Sequence, residues 1–265
     1  EGYKNMKIFF LTTDTYHHWY FVNKLKEKNF TFDKIIMETT SVTPSFKTEP
    51  FHKKNILRYE KKRWGKLTEK TSNFTSFSNI NNKSAVKFLK KFKPDYGIVF
   101  GTRKLNDKVM NSFGKYLINI HRGICQEYRG LDSHLWAIYH NDFENLVTTM
   151  HFVEPALDSG RIIFQEQLPL NKETTLMKLR IINTVACLRM SALALNSMDQ
   201  NSFLPCRSQL RKGRYYSFMP SDLKWQKNIL KTSQQKKPKQ FTTISLEFSL
   251  KTKKYITLTN PYSIV

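Results

Sequence analysis

The chain contains 265 residues, of which 40% are hydrophobic and 25% are charged, a composition typical of a folded globular protein and unlike that of a disordered chain. Its 44 basic residues outnumber its 21 acidic residues, giving a formal net charge of +23. Such a charge attracts nucleic acids, anionic surfaces or phosphorylated ligands, although a solvated lysine-rich surface produces the same excess. No apolar run approaches the roughly 20 residues of a membrane span, and residues 1–5 lack the layout of a signal peptide, so neither is expected.

The first part of the chain alternates between strand and helix patterns. Residues 6–12 are a continuous apolar run that predicts a core strand, and residues 17–28 have apolar positions at the spacing of a buried helical stripe. Residues 32–37 predict a second strand, and strand, helix and strand in this order are typical of a parallel sheet. The first turn, residues 13–16, contains no glycine, which disfavours a dinucleotide-binding site and a nicotinamide-dependent enzyme.

The next part is more polar. Residues 51–70 are helical in pattern and strongly basic, and such a segment either grips phosphates or forms a solvated helix. Residues 73–82 are a polar stretch in which no element is predicted. Ser84 predicts the N-cap of a helix over 85–93. Residues 96–100 predict another buried strand.

The most informative stretch carries three polar side chains at the ends of two predicted strands. Residues 116–120 predict a buried strand, which delivers Asn119 and His121 on the same side because alternate residues of a strand point the same way. Residues 146–153 predict a second strand, closed by a turn that contains Asp158. An amide, an imidazole and a carboxylate are therefore expected in one site beyond the carboxyl edge of a sheet, where open α/β sheets bind ligands.

The remaining patterns complete an α/β fold with a mostly parallel sheet. A short helix is predicted over 106–112. Residues 161–168 begin apolar and then alternate, as an edge strand does, and residues 173–198 form the longest helical pattern, which we expect to cover one face of the sheet.

The chain changes character after residue 200. A loop-rich linker leads to residues 241–249 and 255–259, which alternate like two antiparallel strands. We therefore divide the chain into a catalytic domain, residues 1–200, and a small, mainly β C-terminal module with a β-hairpin, residues 201–265.

Several short motifs resemble the folate-dependent formyltransferase family, which includes the glycinamide ribonucleotide, methionyl-tRNA and nucleotide-sugar formyltransferases. The motifs are Lys-Pro-Asp at 93–95, Asn-Ile-His at 119–121, Tyr-Arg-Gly at 128–130 and Leu-Asp-Ser-Gly at 157–160. The resemblance extends over residues 6–198. It implies a Rossmann-like formyltransferase sheet and an N-formyltransferase activity with 10-formyltetrahydrofolate as the formyl donor.

The resemblance also implies a role for each matching polar residue. Asn119 would donate its amide N–H to the oxyanion that forms when an amine attacks the formyl carbon. His121 would stabilise the same charge and help to move the proton. Asp158 would orient the imidazole and accept the proton of the amine.

The donor is expected against two turns of the chain. The resemblance places its pterin on Gly101, Thr102, Leu105, Val153, Glu154, Ala156 and Leu157. Tyr128 and Arg129 are expected either to bind the substrate or to shape their loop.

The other histidines and the cysteines carry no motif. His134, His140 and His151 have no matching partners, so we expect packing or surface positions and predict no metal site. Cys125 lies near the expected site without a base at a known spacing, which favours packing over a nucleophilic role. Three cysteines without paired spacing favour a reducing, cytoplasmic environment.

The chain departs from the family pattern beside the expected site. The family commonly carries Pro-Ser-Leu-Leu-Pro after the histidine, whereas residues 122–127 here are Arg-Gly-Ile-Cys-Gln-Glu. Asn106 also replaces a proline that usually follows the turn after Gly101. The conformation of this loop and the identity of the acceptor therefore stay open.

Three functions compete for this sequence. The 65 residues after Gln200 are fewer than the barrel that methionyl-tRNA formyltransferases append, which favours a nucleotide-linked amino sugar as the acceptor. The charge of +23 favours transfer to initiator tRNA as the alternative. The third is a non-catalytic binding module, against which the intact Asn119, His121 and Asp158 argue. Aromatic residues of the tail fit either a base-stacking surface or a homodimer interface.

Overall fold

The computed structural model describes most of the chain, and the statements below concern those residues only: 6–46, 48, 53–67, 70–171, 174–201, 204–220, 245–249 and 254–258. The strands are β1 (Ile8–Thr13), β2 (Lys34–Glu38), β3 (Phe74–Phe77), β4 (Tyr96–Val99), β5 (Tyr116–His121), β6 (Tyr128–Gly130), β7 (Val147–Phe152), β8 (Ile162–Gln167), β9 (Arg214–Tyr216), β10 (Ser245–Ser249) and β11 (Lys254–Leu258). The α-helices are α1 (Tyr16–Glu27), α2 (Lys53–Trp64), α3 (Lys83–Phe92), α4 (Asp107–Met110), α5 (Ser133–Tyr139) and α6 (Leu176–Asn201).

Seven of the described strands form one sheet in the order β3-β2-β1-β4-β5-β7-β8. Strands β1 to β5 are parallel, whereas β7 is antiparallel to both β5 and β8. The mostly parallel α/β fold is thereby confirmed, and β8 is the edge strand that its alternating sequence predicted. Parallel strands end at a common edge, so the turn after β1, the turn after β4 and the loop after β5 all leave the sheet on the same side.

The alternation of apolar residues along β1 creates a core on each face of the sheet. Phe10 belongs to the core that α1 and α6 cover, and its ring stacks on Phe21 of α1 at 5.2 Å between centroids. Phe9 and Leu11 point the other way, into the core that α3 and α4 cover. Full burial of each such side chain contributes roughly 1.5–3 kcal/mol. The two cores fix the strand register and, with it, the side on which Asn119 projects.

Helix α6 covers one face of the sheet, as its sequence pattern predicted. Its segment Leu176–Met198 has a mean hydropathy of 1.2 and is long and apolar enough to cross a membrane, contrary to our expectation that no segment reaches that length. Of this segment, 56% is buried inside the fold. A core helix of a globular protein has the same composition, because it also buries most of its circumference.

Three details near the sheet differ from the predictions. The stretch without a predicted element contains β3, which pairs with β2, so pairing with a buried neighbour overrides a polar local sequence. Helix α3 begins after Asn82 rather than Ser84, because the Asn82 side chain accepts a hydrogen bond from the Ala85 amide at 2.7 Å. Strands β6 and β9 pair with each other although neither was predicted.

Residues 204–220 lie against the sheet domain rather than away from it. Ile162 and Arg207 exchange two backbone hydrogen bonds of 2.8 Å each, and Leu204 and Met219 are buried. Strands β10 and β11 pair antiparallel, as their alternating sequences predicted. The domain boundary after residue 200 stays a prediction.

The cap of α3 gives a stability test. Replacing Asn82 by Ala removes the acceptor for the Ala85 amide, so we expect the free energy of unfolding to fall by about 1 kcal/mol. Ser84→Ala is the matched control and should change it by less than about 0.5 kcal/mol, because Ser84 is exposed. Urea denaturation measures both changes, and equal losses would contradict the assignment of the cap.

Candidate active site

A pocket of about 670 Å³ opens at the carboxyl edge of the parallel strands. Its walls come from the turn after β1, the turn after β4, the end of β5, the segment 130–134 and the turn after β7. Ligand pockets of drug-sized molecules have volumes of roughly 300–1,000 Å³. The pocket is therefore large enough to bind a drug-sized molecule.

The three predicted catalytic side chains meet at this pocket. Asn119 Nδ2 lies 3.2 Å from Asp158 Oδ1, and His121 Nδ1 lies 3.4 Å from Asp158 Oδ2. Asn119 and His121 are both on β5, two residues apart, and Asp158 reaches them from the turn after β7. The predicted convergence is confirmed, and their catalytic role remains a prediction.

The turn after β7 is shaped so that Asp158 points inward. Asp158 has a φ of 50°, in the left-handed region that aspartate tolerates better than most residues. Gly160 is required because a Cβ at that position would lie 1.8 Å from the Phe152 carbonyl oxygen. The Gln209 side chain donates to the carbonyls of Asp158 and Gly160, each at 2.9 Å, so the chain after α6 helps to hold the turn.

The buried carboxylate of Asp158 is held in its charged form. Burial by itself raises the pKa of Asp158, but the rings of His121 and His151 and the Gly130 amide, 2.8 Å from Oδ2, outweigh burial and lower it well below its usual range. Burial likewise lowers the pKa of His151, but Cys125 and Asp158 outweigh it and raise the pKa to about 10. Asp158 is therefore an anion at neutral pH, and His151 is its cationic neighbour.

One ring nitrogen of His121 is occupied and the other is available. Nε2 lies 2.8 Å from the Tyr128 carbonyl oxygen, so it carries the proton and donates it there. A Cβ at Gly123 would come within 2.6 Å of the same nitrogen, so glycine is needed beside the ring. Nδ1 consequently faces Asp158 Oδ2 at 3.4 Å and is the nitrogen through which the ring can exchange a proton.

His151 is the functional residue that the sequence analysis missed, since it was expected at a packing or surface position. Its Nε2 lies 3.2 Å from Asn119 Nδ2 and 3.4 Å from Asp158 Oδ1, while its Nδ1 donates to the Phe152 carbonyl oxygen at 2.7 Å. The signal was the pairing of β5 with β7, which places His151 opposite Asn119. The sequence predicts the two strands but not the register between them, so it did not show that His151 lies opposite Asn119.

Both turns predicted to hold the donor line the pocket, with one exception among their residues. The pocket-lining members are Gly101, Thr102, Leu105, Val153, Glu154 and Leu157. Ala156 is exposed and lies outside the pocket, because the turn directs it to solvent. The first turn is held from two sides: the Glu38 carboxylate accepts from the Arg103 amide and guanidinium, and Asn81 Nδ2 donates to the Lys104 carbonyl oxygen at 2.9 Å.

Tyr128 and Arg129 do not line the pocket. Their contacts are those expected of the loop-shaping alternative, and their assignment to substrate binding stays a prediction. The Tyr128 hydroxyl donates to Asp142 at 2.9 Å. Arg129 donates from Nε to the Gly213 carbonyl at 2.7 Å and from Nη1 to the Leu157 carbonyl at 3.2 Å. Both residues are at most 9% exposed. Through its two hydrogen bonds, Arg129 holds the turn after β7 and residues 204–220 against the site.

The loop that departs from the family pattern, residues 122–127, forms a compact turn against β7. The Gly123 carbonyl accepts a hydrogen bond from Thr149 Oγ1 at 2.7 Å, and the Tyr128 amide donates to the Ile124 carbonyl at 2.8 Å. Cys125 is fully buried beneath the site, as expected for a packing residue. Arg122, in contrast, lines the pocket.

Other polar side chains of the pocket were not predicted as site residues. They come from distant parts of the chain: His17, His18, His134 and Arg180. Burial, with Arg122 and Arg180 nearby, lowers the pKa of His134 to about 3, so this ring is neutral. His140 is exposed and does not line the pocket, in agreement with its predicted surface position.

Comparison with known proteins agrees with this fold and site. A family model described as formyl transferase matches residues 21–185. Methionyl-tRNA formyltransferase from Clostridium tetani is 31% identical over 96 residues, which cover 36% of this chain and 31% of that protein. The structure of a sugar N-formyltransferase from Shewanella sp. FDAARGOS_354 is similar with a TM-score of 0.57 and 15% identity, over 97% of this chain and 98% of that one. HypX from Aquifex aeolicus, in complex with tetrahydrofolic acid, is similar with a TM-score of 0.51 and 16% identity, over 81% of this chain and 30% of that one.

The fold is a mostly parallel α/β sheet that brings an amide, an imidazole and a carboxylate together at its carboxyl edge. The family match covers more than half of the chain, and the chain therefore belongs to the formyl transferase family. It spans about a third of the length of the curated methionyl-tRNA formyltransferases that it matches. The structural similarities, at 15% and 16% identity, support the fold.

The charge on His151 predicts how stability depends on pH. The pKa of His151 is raised to about 10 in the folded chain, against about 6.5 in an unfolded one, so its contribution is complete below pH 6.5 and is lost as the pH rises to 10. Between pH 6.5 and 10, we expect the free energy of unfolding of the unchanged protein to fall more steeply than that of His151→Gln. The two slopes should differ by up to about 1.4 kcal/mol per pH unit.

Urea denaturation at pH 6, 8 and 10 measures this difference. His140→Gln is the control, because it removes an exposed imidazole, and it should keep the pH dependence of the unchanged protein. Identical pH profiles for the unchanged protein and His151→Gln would contradict the ion pair between His151 and Asp158.

Proposed function

We propose that this protein transfers a formyl group from 10-formyltetrahydrofolate to the amino group of a nucleotide-linked amino sugar. The observation that carries the transfer reaction is the meeting of Asn119, His121 and Asp158 in one pocket wall, where Asn119 lies 3.2 Å and His121 lies 3.4 Å from the Asp158 carboxylate. Membership of the formyl transferase family supports the same reaction. The acceptor is argued separately below.

The pocket is of a size and lining that suit the reacting end of a folate donor. Its volume of about 670 Å³ lies within the roughly 300–1,000 Å³ range of ligand pockets. Six of the seven residues expected against the pterin line the pocket. Hydrogen bonds with Glu38 and Asn81 hold the turn after β4 in place, although this turn lacks the proline of the family. HypX, which shares the fold, has been solved with tetrahydrofolic acid.

The donor, when bound, supplies a formyl carbon that an amine can attack. Asn119 would donate an amide N–H to the formyl oxygen as negative charge develops there, an interaction whose removal typically costs roughly 3–4 kcal/mol of the barrier. A donor fixed before the reaction begins is effective because it needs no reorganisation.

The proton of the attacking amine needs an acceptor, and the site offers two. The anionic carboxylate of Asp158 is the first, and Nδ1 of His121, which faces that carboxylate and would share the proton with it, is the second. While the bond from the amine nitrogen to the formyl carbon forms and the bond to the donor nitrogen breaks, this proton passes to the departing nitrogen. Charge and protons then balance without any other reactant.

Two further features support an amino-sugar nucleotide as the acceptor. The sugar N-formyltransferase from Shewanella matches almost the whole of this chain, and this chain almost the whole of that one. The net charge of +23 suits an acceptor that carries phosphate. The free cysteines of this chain, which include Cys125 and Cys187, fit a reducing cytoplasm. We therefore place the reaction in the cytoplasm.

Formyl transfer to initiator tRNA is the second candidate. The curated relatives named as methionyl-tRNA formyltransferases favour it, with 31–36% identity over about a third of this chain, and so does the basic surface. A non-catalytic folate-binding relative is the third.

The three candidates predict different products. Incubation with 10-formyltetrahydrofolate and a panel of amino-sugar nucleotides should give an N-formylated nucleotide, detected by mass spectrometry, whereas methionyl-tRNA in the same assay should remain unformylated. Formylation of the tRNA alone would establish the second candidate. Donor binding in calorimetry without any product would establish the third.

Substitutions then test the catalytic assignment. Asn119→Ala removes the oxyanion donor and should lower kcat by about 100-fold to 1,000-fold while donor binding persists. Asp158→Asn and His121→Gln should also lower kcat, because each removes a proton acceptor. His140→Gln is the matched control, since it replaces an exposed imidazole outside the pocket. A kcat for Asn119→Ala equal to that of the control would refute the proposed mechanism.

A further inference from the structure

A second group of polar residues has no part in the proposed proton transfer; three of its members, His17, Arg122 and Arg180, line the pocket, and the fourth, Glu60, lies behind them. We call His17, Glu60, Arg122 and Arg180 the arginine cluster. Glu60 is fully buried and accepts a hydrogen bond from the Arg180 guanidinium. His17 Nδ1 lies 3.2 Å from the same carboxylate, and His17 Nε2 contacts Arg122. The cluster therefore joins α1, α2, α6 and the loop after β5 at one wall of the pocket.

The hydrogen bonds of the arginine cluster determine the charge of its histidine. Arginine has no lone pair to offer, so His17 Nε2 must accept from Arg122, and the neutral ring must carry its proton on Nδ1, towards Glu60. Burial and the two guanidinium groups keep the pKa of His17 well below its usual range. The cluster thus contains two positive charges and one negative charge.

Arg122 is the member that no carboxylate contacts directly. Among the described residues, no carboxylate forms an ion pair with it; its guanidinium contacts His17 and stacks 4.9 Å above the Phe100 ring. Its Nε is enclosed and has no hydrogen-bond partner among those residues. Glu60 and Asp132 attract Arg122 through space, but Glu60 accepts from Arg180 and Asp132 accepts from the Met219 amide at 3.0 Å. A half-buried guanidinium without a direct anionic partner leaves charge-assisted hydrogen bonds unmade, and the pocket can therefore gain from an anion at this wall.

We infer that Arg122, supported by Arg180, forms a subsite for a phosphoryl group of the acceptor. Arg122 immediately follows His121 in the chain, so an anion on it lies beside the reacting centre. Guanidinium groups bind phosphoryl oxygens through paired N–H donors, and the stacking on Phe100 fixes the plane of the Arg122 guanidinium. The neutral His17 keeps Arg122 in place without cancelling its charge. This inference rests on the proposed transfer to a phosphorylated acceptor and names the residue that recognises it.

The position of Arg122 in the sequence suggests a role in selecting the acceptor. Arg122 lies in the loop after β5, directly after His121, and lines the pocket that the acceptor would enter. A residue that adds an unpaired charge to a pocket wall is costly without its ligand. Specific recognition of an anion explains its presence.

Binding measurements test the subsite without formyl transfer. We expect UDP or dTDP to bind the full chain more tightly than uridine or thymidine in calorimetry, because the phosphoryl groups contact Arg122. In Arg122→Gln this advantage should shrink by about 10-fold to 100-fold, the usual range for a hydrogen bond to a charged group. Arg122→Lys should retain part of it, since lysine keeps the charge but not the paired donors.

Matched controls separate this subsite from the general basic surface. Arg63→Gln removes an exposed arginine and should leave the advantage of the diphosphate unchanged. Inorganic pyrophosphate distinguishes recognition of the diphosphate within a nucleotide from binding of the free anion: it should bind more weakly than UDP and depend equally on Arg122. An equal advantage of the diphosphate in Arg122→Gln and in the unchanged protein would overturn the inference.

Thermal unfolding separates recognition from a purely structural role. Ligand-free Arg122→Gln should melt at a temperature no lower than the unchanged protein, because an unpaired guanidinium is removed, and only the unchanged protein should be stabilised by pyrophosphate. A clear drop in the melting temperature of ligand-free Arg122→Gln would instead make Arg122 structural. Failure of the proposed function is distinguishable: it would appear as nucleotide binding that depends on Arg122 but yields no formylated product.

Discussion

The candidate site depends on one buried carboxylate and on how many partners hold it. Asp158 accepts the Gly130 amide at 2.8 Å, and Asn119, His121 and His151 all lie within 3.4 Å of its oxygens. A carboxylate in a protein interior is costly unless hydrogen bonds and opposite charges replace the water that it loses. These partners supply that replacement, so the negative charge is kept where a proton acceptor is needed. Removing any of them would change both the position of Asp158 and its affinity for a proton.

The fold brings these partners together through the geometry of its sheet. Strand β5 carries two of them on one side, and the antiparallel pairing with β7 places His151 opposite Asn119. The turn after β7 then returns Asp158 to the same place, which requires glycine at 160 because the backbone passes so close to Phe152. Residues 204–220, which follow the last helix of the sheet domain, complete the enclosure through Gln209 and Gly213. Sites built on strands and on clamped turns hold their side chains more precisely than free loops do.

The same pocket contains two electrostatic environments with different tasks. Around Asp158 the negative carboxylate is balanced by the positive charge of His151, as expected for a centre that passes a proton between neighbouring groups. Around Arg122, in contrast, a guanidinium that no carboxylate contacts directly faces the pocket, as expected for a wall that binds an anionic ligand. Reaction and recognition are in this way assigned to neighbouring but separate groups, with His121 and Arg122 adjacent in the chain.

The sequence by itself determined the class of fold, most of the strands and helices, and the three polar residues Asn119, His121 and Asp158. Apolar periodicity and short motifs are local signals, and they survive in a single chain. Only the tertiary structure decided that His151 joins the site, that Arg122 reaches His17 while Arg180 reaches Glu60, and that Tyr128 and Arg129 serve packing. These outcomes depend on strand register and on contacts between residues 28 or more positions apart. Long-range contacts of this kind follow from how whole elements pack, which no local pattern records.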